Sequence, residues 1–191
     1  MAKRVILAAL LSAVLMFAWG FAFWGLSGAL DKTCGPLPAE LDVLASLRNS
    51  QAPSGMYVYP PPCDSSDAEA MAEWEAKHEE GPLLRLAYVA EGGPPMPPIK
   101  WVLGLGHYFA VALLSGSLVA LAGSSLPSFG RRLGFVLLLS LIAAVWTNVG
   151  DVLWWRHSVA YCLGNMAYEL VAGLLMGLVI AAMVKSRESR V

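Results

Sequence analysis

Four long stretches of apolar residues, separated by polar breaks, dominate the pattern of hydrophobic and polar positions along the chain. Each stretch is long enough to cross the hydrocarbon core of a bilayer, which needs about 20 residues in a helix. The pattern therefore predicts four membrane-spanning helices, a polar segment between the first two, and a short tail. The predicted helices cover residues 5–30, 99–123, 133–155 and 159–184, the polar segment covers 31–98, and the tail covers 185–191.

The polar segment between the first two predicted helices has a secondary-structure pattern of its own. Leucines recur at helical spacing over 38–49, which predicts a short helix. Runs typical of strands follow at 55–59 and 83–90, and a second helix is predicted between them over 66–80. The expected fold is an all-α transmembrane four-helix bundle with a small α+β extracytoplasmic cap between the first and second helices.

Composition supports a membrane protein and excludes several other classes. The chain is 57% hydrophobic and 14% charged, whereas soluble domains are about 45–50% apolar and about 25% charged. A soluble globular domain, a disordered segment and a nucleic-acid-binding protein are excluded on this basis. The expected partners are the lipid bilayer and other membrane protein subunits, or further copies of this chain.

The distribution of charge predicts the orientation of the chain. Segment 31–98 carries eleven acidic and four basic residues, whereas the two chain ends and the break before the third helix carry seven basic residues and one acidic residue. Because Lys and Arg concentrate in cytoplasmic loops, both termini are expected in the cytoplasm and segment 31–98 outside it. The sequence Ser27-Gly28-Ala29 could also end a signal peptide, but the length of the apolar run favours an uncleaved helix.

Two of the three cysteines fall in the segment that is expected outside the cytoplasm. Thiols can pair in an oxidising compartment, and closing a loop of about 30 residues would stabilise this segment by roughly 3–4 kcal/mol. We therefore predict a disulfide between Cys34 and Cys63, with two unpaired thiols as the alternative. Cys162 is interpreted as a small packing residue.

Several polar side chains lie inside the predicted helices. The helical rise places most of them about 9–15 Å from the outer end of their helix, with Glu169 deepest. Glu169 shares a helix face with Gly173 and Gly177, small residues that let helices approach closely. We expect this polar layer to converge inside the bundle, so that His107 and Glu169 can meet. Its members are His107, Thr147, Asn148, Asp151, Asn165, Tyr168 and Glu169.

The polar layer supports more than one interpretation. A carboxylate near the centre of a spanning helix costs about 2.5–3.5 kcal/mol to insert, so Glu169 is expected to face the bundle interior. The layer could tie helices together by hydrogen bonds, form a ligand or cofactor pocket, or carry out catalysis or proton transfer. His107 with Glu169 and Asp151 also has the residue types of a metal site, although no metal-binding motif accompanies them and no particular cofactor is indicated.

Two short motifs lie in the polar segment, Ser54-Gly55-Met56-Tyr57-Val58-Tyr59-Pro60 and Trp74-Glu75-Ala76-Lys77-His78. With the order of one helix, a cap and three further helices, they make the chain resemble a family of bacterial four-helix inner-membrane proteins that has no assigned function. The resemblance covers most of the chain and implies the bacterial cytoplasmic (inner) membrane. It implies no activity.

The sequence contains no nucleotide-binding loop and no nucleophile motif, and it has several small-residue faces suited to helix packing. It therefore favours a non-catalytic accessory subunit or binding module in a membrane assembly. One alternative is a small membrane enzyme or transporter that handles a lipophilic substrate or a proton through Glu169 and His107. Another is metal or pigment binding at His107.

Overall fold

The computed structural model describes residues 1–185 and is built mainly from helices. In this part of the chain, four helices are long and apolar enough to span a membrane, as predicted, and two strands form one antiparallel sheet. Of the predicted tail 185–191, residues 186–191 lie outside the described residues. In chain order the elements are α1 (Ala2–Gly20), α2 (Ala29–Thr33), α3 (Glu40–Asn49), β1 (Gly55–Tyr59), α4 (Ala68–Glu80), β2 (Leu84–Tyr88), α5 (Pro98–Ala122), α6 (Phe129–Ala144), α7 (Gly150–Trp155) and α8 (Val159–Met183).

The chain divides into two compact units. The first, the helical unit, contains Met1–Gly35 and the chain from Met96 onward, and the second is Pro36–Pro95. The predicted segment 31–98 is therefore longer than the second unit, because residues 31–35 and 96–98 belong to the helical unit.

The long helices of the helical unit follow the spatial order α5, α1, α8, α6. Helix α1 packs along both α5 and α8, and α6 packs along α8. Although α5 and α6 are joined by a short turn, they contact each other only sparsely. This arrangement leaves a cleft between α5 and α6.

Small residues form much of the contact between the long helices. Ala8, Ala9 and Ala13 are buried on α1, whereas large apolar side chains such as Leu114 and Trp146 are exposed. An apolar exterior around contacts made by small residues is typical of helices that pack together in a bilayer.

Two helix boundaries differ from the predicted ones for local reasons. The first long helix ends at Leu26 rather than at residue 30, because Gly28 has a φ of 69°, in the left-handed region that ends helices. Helix α6 begins at Phe129, four residues before the predicted start. Ser128 caps it, since the Ser128 hydroxyl oxygen accepts a hydrogen bond from the Arg131 N–H at 3.2 Å.

Two of the long helices contain π-helical turns that the sequence did not predict. One, Phe21–Leu26, continues α1, and the other, Val145–Val149, joins α6 to α7. The π-helix is rare, and single π turns inside α-helices are frequently found at functional sites.

In the second unit, β1 and β2 pair antiparallel, with Gly55 opposite Tyr88 and Tyr59 opposite Leu84. Asp67 caps α4, because its carboxylate accepts hydrogen bonds from the N–H groups of the first turn. Both predicted strands are confirmed, the second over Leu84–Tyr88 within the predicted 83–90, and the structure shows that they pair.

The predicted disulfide between Cys34 and Cys63 is wrong, because all three cysteines are free thiols. Cys34 is exposed at the end of α2 in the helical unit. Cys63 belongs to the second unit, where its Sγ lies 3.4 Å from Met71 Sδ. An oxidising compartment permits pairing, but a disulfide also requires Cα atoms about 4.4–6.8 Å apart, and spacing along the sequence does not determine that distance.

Candidate functional site

Glu169 and Asn148 form a hydrogen-bonded pair inside the helical unit. Asn148 Nδ2 donates to Glu169 Oε2 at 2.9 Å. Asn148 lies in the π turn Val145–Val149 and is only 2% exposed, whereas Glu169 lies on α8 and is half-buried. The pair therefore links α8 to the π turn that follows α6.

The amide of Asn148 is held in one orientation. Its Nδ2 also donates to the Ala144 carbonyl oxygen at 3.0 Å. An amide nitrogen carries two hydrogens, so one donates to its own helix and the other to Glu169. The π turn thus presents an oriented donor to the carboxyl group, and that donor has no hydrogen left for another partner.

Tyr168, the neighbour of Glu169 in the chain, belongs to a pair of tyrosines. Tyr108 of α5 and Tyr168 of α8 form a hydrogen bond between their hydroxyl groups, and Trp19 Nε1 donates to the Tyr168 carbonyl oxygen at 3.1 Å. Gly20 leaves room for this pair, since a Cβ there would lie 3.1 Å from the Tyr108 hydroxyl oxygen. Three helices, α1, α5 and α8, meet at these tyrosines.

A cavity of about 370 Å³ lies between α5 and α6, with α8 lining it as well. Its size falls within the range of about 300–1,000 Å³ that is typical of small-molecule sites. Its lining is apolar apart from six residues, which come from all three helices. They are His107, Tyr108, Ser115, Ser140, Tyr168 and Glu169.

The length of the cavity restricts what it can hold. The lining residues cover 107–115 on α5 and 168–176 on α8, about 12 Å at 1.5 Å per residue. This is less than half of the hydrocarbon thickness of about 30 Å. The cavity therefore fits a small molecule or one end of a lipid, and it is too short for a membrane-spanning helix.

One oxygen of Glu169 remains available to the cavity. Oε2 accepts from Asn148, whereas Oε1 forms no hydrogen bond within residues 1–185. Because Glu169 lines the cavity, Oε1 can serve a bound molecule.

His107 and Glu169 line the same cavity, but the hydrogen bond to the carboxyl group comes from Asn148 and not from His107. The His107 ring lies beside Tyr108, with 5.3 Å between ring centroids. His107 is exposed on α5, which places it at the open side of the cavity.

Four members of the predicted polar layer do not line the cavity, and of these only Asn148 forms a hydrogen bond with a lining side chain of the layer, Glu169. Asp151 Oδ2 lies 3.5 Å from His157 Nδ1. Thr147 is exposed, and its hydroxyl donates to the Ala143 carbonyl oxygen of its own helix at 2.9 Å. Asn165 is half-buried on α8. The structure thus brings together His107, Tyr168, Glu169 and Asn148, and leaves the other three outside.

The described residues offer no ligand set for a metal ion. Within residues 1–185, no group of three or more His, Cys, Asp or Glu side chains could hold one. The metal alternative at His107 therefore gains no support from neighbouring ligands.

Sequence reasoning missed three polar lining residues, Tyr108, Ser115 and Ser140. Ser115 carried a usable signal, because His107, Val111 and Ser115 follow each other at intervals of four and therefore share one helix face. All three line the cavity. Tyr108 lies near one end of its helix, where aromatic residues are common in membrane proteins, so the sequence pattern does not single it out as a site residue.

Comparisons with known proteins add no assignment: no family model matches the chain, and neither does any curated protein or solved structure. The cavity and its lining residues are therefore the basis for a functional interpretation.

Proposed function

We propose that this protein is a non-catalytic binding module of the bacterial inner membrane that holds a lipophilic ligand in the cavity between α5 and α6. The observation that carries this proposal is the Glu169 carboxyl group at the wall of a mostly apolar cavity, held from behind by the buried Asn148 amide. Inserting a carboxyl group within a spanning helix costs free energy, and such a group usually has a functional role. An apolar ligand with a polar head would use both the apolar lining and the free carboxyl oxygen.

The cavity favours ligand binding over a purely structural role for Glu169. A polar side chain that only ties two helices together is satisfied within the contact between them. Glu169 instead has one oxygen in the helix contact and the other without a hydrogen-bond partner in the described residues. The sparse contact between α5 and α6 offers a lateral route by which a molecule dissolved in the bilayer can enter.

The proposed orientation follows from the charge pattern. Both termini lie in the cytoplasm and segment 31–98 lies outside it, since the basic residues concentrate at the termini and the α5–α6 turn. Glu169, about 15 Å from the beginning of α8, then lies in the outer half of the bilayer.

Labelling of Cys34 tests this orientation. Cys34 is an exposed thiol, so a membrane-impermeant maleimide should label it from outside the cell when Cys63 and Cys162 are replaced by serine. A matched chain that has no other cysteine and carries Ser124→Cys, at an exposed position in the α5–α6 turn, should be labelled only after the membrane is permeabilised. The reverse pattern would show that the orientation is wrong.

The protein is further proposed to work within a larger membrane assembly, with other subunits or with copies of itself. The support is the wide apolar exterior of the bundle, which includes Leu114 and Trp146. Such a surface can be covered by lipid or by neighbouring helices.

A second candidate function is a small enzyme or transporter that moves a proton between Glu169 and His107. The observation in its favour is that both side chains line one cavity. In that case Glu169→Gln would abolish turnover and leave ligand binding unchanged.

Filling the cavity tests the proposed function. Ala143 lines the cavity and is exposed, so Ala143→Trp should fill the space without disturbing buried packing. We expect saturable photolabelling of the cavity-lining parts of α5 and α8 by a diazirine-bearing long-chain alcohol, in nanodiscs of zwitterionic lipid. Labelling should fall at least about tenfold in Ala143→Trp, equivalent to about 1.4 kcal/mol of binding free energy.

The matched control is Ala110→Trp, at an exposed position of α5 that does not line the cavity. It should be labelled like the unmodified protein. Equal labelling of the two tryptophan variants, or labelling that never saturates, would overturn the proposed function.

A further inference from the structure

The charged groups of the cavity are unevenly distributed. Among the described residues that line it, Glu169 is the acidic group, no Lys or Arg is present, and His107 lies at the exposed side. An anionic head group would find no permanent positive charge there and would face the carboxyl group. Burying a charge without a partner is strongly unfavourable.

The hydrogen bonds around Glu169 and Ser140 also favour a ligand head group that donates hydrogen bonds. Both hydrogens of the Asn148 amide are used, one by Ala144 and one by Glu169. Ser140 donates its hydroxyl hydrogen to the Val136 carbonyl oxygen at 3.0 Å. What remains free at these groups are acceptors, the Glu169 Oε1 and the lone pairs of the Ser140 oxygen. A head group placed next to Glu169 and Ser140 would therefore donate hydrogen bonds to them, whereas His107, Ser115 and one hydroxyl hydrogen of the tyrosine pair are donors elsewhere on the wall.

Aromatic rings at the cavity wall also suit a positive charge. Tyr108 and Tyr168 both line the cavity, and the Tyr168 ring packs on Phe23 and Trp24, with centroid distances of 5.6 and 5.7 Å. The faces of aromatic rings attract cations, most strongly where water is excluded.

We infer that the ligand is an amphiphilic amine, with a protonated amino head group held by Glu169 and an apolar body in the rest of the cavity; this inference rests on the proposed function. An ammonium group supplies up to three hydrogen-bond donors and a positive charge that pairs with the Glu169 carboxylate. A carboxylate, a ketone or a quinone offers only acceptors and would leave Glu169 Oε1 and the Ser140 oxygen without partners. An alcohol supplies one donor and no charge.

Competition among three matched molecules tests the inference. Dodecylamine, dodecanol and dodecanoate share one chain length, so they are compared for their ability to displace the diazirine-bearing alcohol. Dodecylamine should compete at least about tenfold more strongly than dodecanol, and dodecanoate should be the weakest. Partitioning of each molecule into protein-free nanodiscs, measured separately, corrects for their different concentrations in the bilayer.

Glu169→Gln and Glu169→Asp separate charge from shape. Glutamine keeps an oxygen that can accept from Asn148, so Glu169→Gln should lose the preference for the amine and keep competition by dodecanol. Glu169→Asp keeps the charge and should retain the preference. If either variant fails to accumulate as folded protein, the competition series on the unmodified protein decides alone.

The outcomes distinguish the inference from the proposed function. Saturable labelling that dodecanol or dodecanoate displaces as well as dodecylamine would overturn the amine ligand and leave the binding module intact. A preference for the amine that persists in Glu169→Gln would overturn the role of the carboxyl group. Labelling that does not saturate would overturn the proposed function itself.

Discussion

Replacing Arg132 with alanine is expected to lower the free energy of unfolding of the helical unit by about 3–5 kcal/mol. Arg132 is only 5% exposed. Its Nε donates to the Ala181 carbonyl oxygen at 2.9 Å, and its Nη1 donates to those of Leu126 and Pro127 at 3.1 and 3.0 Å. Hydrogen bonds from a charged donor contribute about 1.5–3 kcal/mol each, and alanine would leave three carbonyls without this donor.

The guanidinium of Arg132 joins two separate parts of the helical unit. Leu126 and Pro127 lie in the turn between α5 and α6, whereas Ala181 lies in the last turn of α8. A cation at the C-terminal end of a helix also interacts favourably with the helix dipole. One side chain therefore holds the end of α8 against the α5–α6 turn.

Unfolding in a detergent series, followed by circular dichroism, would measure the effect, with Arg131→Ala as the matched control. Arg131 is the exposed neighbour in the same turn, and its replacement should change stability by less than about 0.5 kcal/mol. Arg132→Lys should fall between the two, because a lysine ammonium lacks the planar fork of donors. Equal stability of Arg132→Ala and Arg131→Ala would contradict this account.

Adding a single methyl group at Gly173 is expected to destabilise the contact between α6 and α8 by about 1–3 kcal/mol. A Cβ at Gly173 would lie 2.5 Å from the Ser140 Cβ, closer than Cβ atoms come in real proteins. The obstacle is next to the backbone of α6, so a rotamer change cannot relieve it. The helices must move apart, and the Asn148–Glu169 hydrogen bond crosses the same interface.

Thermal unfolding in mild detergent would compare Gly173→Ala with Gly134→Ala. Nothing lies within 4 Å of a Cβ at Gly134, so that variant should be as stable as the unmodified protein or up to about 1 kcal/mol more stable, since alanine favours helix over glycine. Adding Ser140→Gly to Gly173→Ala should recover part of the loss, because it removes the atom that clashes. Gly173→Ala as stable as Gly134→Ala would show that the contact is looser than described.

Photolabelling of Gly173→Ala would test whether the packing of α6 on α8 determines the shape of the cavity. Ser140 and Gly173 both line the cavity. A shift of α6 away from α8 therefore changes the shape of the cavity wall as well as the stability of the protein. The cavity depends on small residues that set the distance between two helices, and a helix-packing variant is expected to weaken saturable labelling without touching Glu169.

Particular residues show where sequence reasoning succeeded and where it did not. Apolar length predicted the four long helices, and strand-like runs predicted β1 and β2, because these are properties of short stretches of chain. Arg132 was expected in a polar break, yet it is buried in the first turn of α6, since Ser128 starts that helix earlier. The Cys34–Cys63 pairing failed because it required a distance across the fold.

The number, type and approximate bounds of the long helices follow from the sequence alone, since about 20 consecutive apolar residues have few alternatives to a helix in a bilayer. The sequence also shows which positions within these helices are polar. It does not show which side chains these polar groups contact. Whether Glu169 pairs with His107 or with Asn148 depends on helix rotation and on the one-residue shift of a π turn. Both are decided by how α8 packs on α6 through Gly173 and Gly177, a balance of contacts that exists only once the helices have assembled.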